Sequence, residues 1–220
     1  MKTIRINTTA INKTFAKSIV LLLSIIILSA ITGCAKSVSS EPVPVADNGN
    51  LSENEQSPLK IVVYTDFECG ACERFNLNIE PKLREFKAAG IAQIDIRLLG
   101  AISDDSARGA QAALWAGDSG KFLEYHDALF QAFRQDTDNP CSRKRLIELA
   151  GSLGLKKKSL RRCLDKDCKK TELAKNMEMA KADGIRVLPA VFINGTKIEG
   201  YKPLETYIDV IDRVLAEQSH

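Results

Sequence analysis

The stretch Ile61-Val62-Val63-Tyr64-Thr65-Asp66-Phe67-Glu68-Cys69-Gly70-Ala71-Cys72 runs from an apolar strand signal directly into two cysteines spaced by two residues. Lys60 to Phe67 reads as a buried strand. The residues behind it predict a helix burying Cys72, Phe75, Ile79, Leu83 and Phe86 at spacings of three and four, with Glu73, Arg74, Asn76 and Asn78 outward. Pro81 should kink or divide that helix, because proline lacks the N–H that an interior turn uses. Gly90 ends it, and Ala92 to Leu99 alternates as a second strand with Ile94, Ile96 and Leu98 on one side. Strand, helix and strand in this order predict a parallel βαβ unit.

Strand signals then stop for about ninety residues. Helical patterns cover about 105–116, 121–133, 142–152, 156–164 and 170–182, an inserted helical layer spanning about 103–183. Strands return at Ala190 to Ile193 and Thr196 to Ile198, joined by Asn194-Gly195, a pair whose residues both accept positive φ and so favour a two-residue hairpin turn. Pro203 opens a last helix with apolar face Leu204, Tyr207, Ile208, Ile211, Val214 and Leu215.

The order CxxC at a first helix, long helical insertion, then Val187-Leu188-Pro189-Ala190-Val191-Phe192-Ile193-Asn194-Gly195 with hairpin and helix resembles the DsbA-like branch of the thioredoxin superfamily, over about Leu59 to Gln218. Asp66-Phe67-Glu68-Cys69 with Cys72 is similar to its extracytoplasmic single-domain members. The resemblance implies an α/β thioredoxin fold with a helical domain inserted between the βαβ unit and the C-terminal ββα unit. It also implies a cis Pro189 beside the CxxC, a backbone at Leu188 offered to an extended substrate segment, and reoxidation by a membrane quinone reductase of DsbB or vitamin-K-epoxide-reductase type.

The chemistry follows from the residues themselves. Unpaired N–H groups and the positive dipole end at a helix N-terminus favour an anion, so Cys69 should have a depressed pKa and be the attacking thiolate. Cys72, one turn in on the apolar face, is then the resolving thiol. Gly70 and Ala71, where a substrate segment would pass, offer no charge, and Glu68 should raise the Cys69 pKa; a moderate oxidant is expected. The same residues suit a reductase or an isomerase fed by a membrane electron donor, or a noncatalytic binding or chaperone module on the same scaffold, and the intact CxxC with Pro189 favours the oxidoreductase.

Three cysteines remain. Cys163 shares a helical face with Leu160 and Leu164 and reads as a small buried hydrophobe. Cys141 opens one helix and Cys168 follows the end of the next, antiparallel one; a Cys141–Cys168 structural bridge is expected, with Cys141–Cys163 as the alternative. His126, in Tyr125-His126-Asp127-Ala128-Leu129-Phe130, reads as structural, Trp115 as part of the inserted core, and Asp66 as a solvated strand end more than a proton relay. With two histidines in the chain, no metal site is expected. No phosphate-cradling glycine motif appears, and no cofactor is expected.

The N-terminus sets the address. Lys2, Arg5, Lys13 and Lys17 precede a nearly unbroken apolar run from Ile19 to Ile31, shorter than the ~18 residues a spanning helix needs. It ends in Ile31-Thr32-Gly33-Cys34, which resembles a bacterial lipobox. The expectation is a lipoprotein signal over 1–33, lipidation at Cys34, a flexible tether over 34–57 and a folded domain over 58–220, held on the periplasmic side of a membrane by its lipid. The 23 residues from Ala35 to Ser57, rich in Ser, Asn, Glu and Pro, would span roughly 25 Å as a coil. The chain has 31 basic and 28 acidic side chains, and removing the leader leaves 27 against 28, so the apparent basicity belongs to the leader. With no basic stripe interleaved with aromatics, a nucleic-acid partner is not indicated, and Lys156-Lys157-Lys158 and Lys169-Lys170 read as solvated faces.

Overall fold

The computed structural model describes residues 57–135 and 139–218. The leader, the lipidation at Cys34 and nearly all of the tether lie outside the described residues. Ser57, placed at the tether's end, is buried.

Four strands form one sheet in the order β2-β1-β3-β4: β1 (Leu59–Thr65), β2 (Ala92–Leu98), β3 (Ala190–Ile193) and β4 (Thr196–Glu199). β1 pairs parallel with β2 and antiparallel with β3, and β3 pairs antiparallel with β4. Val63 sits between Ile96 and Val191. A strand flanked on both edges and covered on both faces must be apolar throughout its centre, and Leu59, Ile61, Val63 and Tyr64 are all sealed from solvent.

The first helical run is divided as its proline demands, into α1 (Gly70–Asn78) and α2 (Glu80–Ala88), with Pro81 in the first turn of α2, where no N–H is required. The Ile79 N–H still reaches the Phe75 carbonyl at 2.9 Å, so the break is one residue wide. Asn76, expected to face out, is buried because its side chain donates to Glu80 and Asp127.

The insertion is five helices: α3 (Asp104–Gly117), α4 (Phe122–Arg134), α5 (Arg143–Ser152), α6 (Lys157–Asp165) and α7 (Lys170–Ala182). Ser103 caps α3 by accepting from the N–H groups of Asp105 and Ser106. α3 is the hub, and Gly109, Ala110, Ala112, Ala113 and Ala116 let its neighbours approach closely. A Cβ on Gly109 would lie 2.8 Å from the Cys141 sulfur. Trp115 is buried in this layer, as its sequence context implies.

Asn194 and Gly195 both take positive φ in the β3–β4 turn. The Asn194 side chain also accepts from the Lys60 N–H at 2.6 Å and donates to the Pro58 carbonyl at 2.9 Å, tying the hairpin to the start of β1. α8 (Leu204–Glu217) then covers the sheet, with Tyr207 against Phe75.

Candidate active site

The turn from β1 into α1 places the two cysteines differently although three positions separate them. Cys69 is the N-cap of α1, in extended conformation, and its sulfur accepts from the Cys72 N–H at 3.3 Å. A sulfur in the position normally held by a serine or aspartate oxygen satisfies an orphan helix donor most strongly when it carries charge. The hydrogen bond from the Cys72 thiol, with those from the Cys72 and Ala71 N–H groups, lowers the Cys69 pKa to about 6 against the opposing effects of burial and the Asp66 charge. Cys72 is fully buried, and burial, reinforced by the adjacent Cys69 sulfur, pushes its thiol far above the ordinary range.

The second half of the site comes from the far end of the chain. The Leu188–Pro189 peptide is cis, and the Leu188 carbonyl oxygen lies 3.9 Å from the Cys69 sulfur. The Pro189 carbonyl accepts from the Gly200 N–H at 2.8 Å, which fixes the loop to the segment after β4. Gly70 is exposed with open space where a side chain would stand, and Ala71 is half-buried. Beside Leu188 opens an apolar cavity lined by Leu99, Ala101, Met177, Ala180 and Ile185.

Asp66 is not the solvated strand end that its sequence position suggested. It is buried, and its carboxylate accepts from the Glu68 N–H at 3.0 Å, the Ala101 N–H at 2.7 Å and the Ser106 hydroxyl at 2.7 Å. It therefore ties the loop before Cys69 to the loop before α3 and to α3 itself. Its backbone carbonyl accepts from the Cys69 N–H at 3.2 Å. Glu68 was the acid expected to oppose the Cys69 thiolate. That charge is Asp66 instead, and the Glu68 carboxylate accepts from the Ser103 hydroxyl at 2.6 Å.

The expected Cys141–Cys168 bridge is not formed. Cys163 and Cys168 are bonded to each other, and Cys141 is a buried free thiol. At the end of α6 the chain reverses at once: Asp167 takes φ 48° and the N–H groups of Lys166 and Cys168 both return to the Cys163 carbonyl, which brings the two Cα atoms to 4.8 Å. Cys141 instead lies in the core beside Gly109, and burial, with the nearby Glu68 and Asp66 charges, raises its pKa to about 12.

Sequence reasoning also missed a half-buried ionic cluster behind the site. Arg84 donates to Glu80 and to both carboxylate oxygens of Asp127, and Asn76 and the His126 Nδ1 complete the set. The His126 ring packs among Phe67, Phe122 and Phe130, so α4 grips the residue two before Cys69. Glu80, His126 and Asp127 stand close enough to share a cation, but the Arg84 guanidinium already neutralises that space. Each member is polar in a helical pattern, and the pattern alone does not show that they meet.

A thiolate-stabilised CxxC at a helix N-terminus, faced by a cis-proline loop on a βαβ–insertion–ββα frame, defines a thiol:disulfide oxidoreductase of DsbA-like architecture. The chain belongs to the thioredoxin family, whose sequence profile, described as thioredoxin, matches residues 51–213. It is similar to the disulfide bond formation protein D of Bacillus subtilis, with 24% identity over 73% of this chain and 74% of that one. It also resembles a putative protein-disulfide oxidoreductase of Rickettsia prowazekii, with 23% identity over 80% of this chain and 64% of the other. Among solved structures, oxidised BdbD from B. subtilis superposes with a TM-score of 0.67 at 22% identity, covering 74% of this chain and 90% of that one. Wolbachia pipientis alpha-DsbA1 gives 0.66 at 20% identity, covering 74% and 88%.

Proposed function

We propose that the protein forms disulfides in exported proteins, with Cys69 as nucleophile and Cys72 as resolving thiol. The observation that carries this is the unequal pair: one half-exposed sulfur held as a thiolate, the other sealed in the core. A substrate thiolate attacks the Cys69 sulfur of the Cys69–Cys72 disulfide, and that bond breaks to leave a mixed disulfide and the Cys72 sulfur, which takes a proton. A second substrate thiolate then attacks the substrate sulfur of the mixed disulfide and expels Cys69 as its favoured thiolate. Two electrons pass from the substrate pair to the protein pair.

Stabilising the Cys69 thiolate stabilises the reduced protein and so favours oxidation of the substrate. The names of the Bacillus relatives agree with that direction. Pro189 presents a flat, donor-free face to the disulfide, the extended substrate segment lies along Leu188 and over Gly70 and Ala71, and the cavity beside Leu188 takes one of its apolar side chains.

The address belongs to the same proposal: a signal over 1–33, a lipid on Cys34, a tether over 34–57 and a membrane quinone reductase of DsbB or vitamin-K-epoxide-reductase type as reoxidant. Among the described residues no helix is long and apolar enough to cross a membrane. Oxidative refolding of a reduced test protein, with the wild type and Cys69→Ser in parallel, tests the activity. Regain of native disulfides with the wild type alone is expected, and equal yields would reject it. A mostly oxidised Cys69–Cys72 pair in the cell is expected, whereas a mostly reduced one assigns the reductase direction.

A further inference from the structure

The domain is electrically lopsided. Residues 143–166, the α5–α6 hairpin, carry nine basic and two acidic side chains, while the rest of 57–218 carries 17 basic and 22 acidic. On α6, Leu160, Cys163 and Leu164 face the core, Lys158, Arg161 and Arg162 project away from it, and the exposed Lys157 lies along Gly151 of α5. Lys144, Arg145, Lys156 and Lys166 are exposed alongside them.

Most of this charge has no counterpart in the fold. Asp165 is taken by Arg143, whose guanidinium also donates to the Arg161 carbonyl across the hairpin, and Glu148 stands 4.0 Å from Lys144. Among the described residues, Arg145, Lys156, Lys157, Lys158, Arg161, Arg162 and Lys166 make no ion pair. Lys169, just beyond the hairpin, shows the contrast, since Asp118 and Glu172 both engage it. Self-repulsion among so many cations opposes the compact state unless an external anion relieves it.

We infer that the α5–α6 hairpin is an electrostatic docking face for the anionic phospholipid surface to which the chain is anchored. This rests on the lipid anchor proposed above. A hairpin with no aromatic residue in 143–166 lacks the stacking platforms by which proteins hold single-stranded nucleic acid. It also exposes no large apolar side chain, so it lies on headgroups without inserting. A short lipid tether keeps the domain within reach of the bilayer surface, and an anionic leaflet attracts each nearby Lys or Arg over about one Debye length. Docking by this face replaces free tumbling on the tether with a preferred orientation.

The test uses the processed protein isolated from membranes and reconstituted in nanodiscs of phosphatidylcholine alone or with added phosphatidylglycerol. Lysines are labelled with a water-soluble acylating reagent and read by peptide mass spectrometry. Lys156, Lys157, Lys158 and Lys166 should label at least about tenfold more slowly in anionic discs, and the difference should vanish at high salt, with Lys60 and Lys202 unchanged. The triple variant Lys157→Glu, Lys158→Glu, Arg161→Glu should lose the protection of Lys156 and Lys166 while keeping refolding activity. Equal labelling in both discs, or protection that ignores salt, overturns the inference. Tighter binding to an oligonucleotide than to anionic vesicles assigns the face to a different partner and overturns it too. The mass of the N-terminal peptide separates the two claims. If Cys34 carries no lipid the anchor reading fails, and salt-sensitive cosedimentation of the same protein with phosphatidylglycerol vesicles then tests the face alone.

Discussion

The carbonyl oxygen of Leu188 lies 3.9 Å from the Cys69 sulfur across 119 residues of sequence. The contact joins the βαβ half of the fold to the ββα half at the Cys69 sulfur. Leu188 immediately precedes Pro189, whose carbonyl accepts from the Gly200 N–H at 2.8 Å and so fixes the loop after it. Under the proposed function, a substrate segment along Leu188 would lie beside the Cys69 sulfur.

The Cys69 thiol should titrate near pH 6, followed by the ultraviolet absorbance of the thiolate in the reduced protein. A lowered pKa means that the folded reduced form gains stability above the ordinary thiol range and loses it as pH falls through about 6. The reduction potential should accordingly change by about 59 mV per pH unit below that pKa, where two protons are taken up, and by about 30 mV above it, where one is. A single slope from pH 4 to 8 would contradict the assignment of a thiolate to Cys69.

Ala71→His should make the protein a stronger oxidant. The thiolate takes backbone donors from Ala71 and Cys72 and no charge from the Gly70-Ala71 dipeptide, so an imidazole beside Cys69 adds a donor or a cation that the wild type lacks. Each unit by which the Cys69 pKa falls corresponds to about 30 mV. Equilibration with a glutathione buffer measures the change, and a potential that stays put or becomes more reducing counts against this account of the dipeptide.

Gly109→Ala should destabilise the fold by about 1–3 kcal/mol in chemical denaturation, because the new methyl meets the Cys141 sulfur at 2.8 Å, with Leu129 and Phe67 close behind. Cys141→Ala in the same chain should recover much of that loss. Simple additivity of the two changes would show that the sulfur is not what fills the space.

Nonreducing peptide maps should link Cys163 to Cys168, with Cys141 modified only after unfolding. Removing the bridge by Cys163→Ser with Cys168→Ser should cost about 2 kcal/mol, the modest value expected for so short a loop. A peptide joining Cys141 to either partner would refute the pairing.

Periodicity carried most of the fold. α7 matches its helical pattern end to end, and Pro81 and Asn194-Gly195 mark a break and a turn that physics leaves little freedom to place elsewhere. The CxxC and Pro189 were legible because each serves a chemistry few residue types perform. The Cys163–Cys168 bond was not, since it depends on a left-handed residue, Asp167, that helical pattern does not forecast. Nor were the roles of Asp66 and of the Arg84 cluster, since Ala101, Ser106 and Asp127 lie 35 to 51 positions from the groups they bind and become neighbours only when α3 and α4 pack.

The division of labour between Cys69 and Cys72 is tested most directly by trapping the exchange intermediate. Cys72→Ala, mixed with a substrate peptide activated as a disulfide, should accumulate a stable mixed disulfide on Cys69, seen as one added peptide mass that dithiothreitol removes. Cys69→Ala under the same conditions should accumulate almost none, because the Cys72 sulfur is buried and held as a thiol. Comparable adducts on both variants, or an adduct on Cys72 alone, would contradict the account.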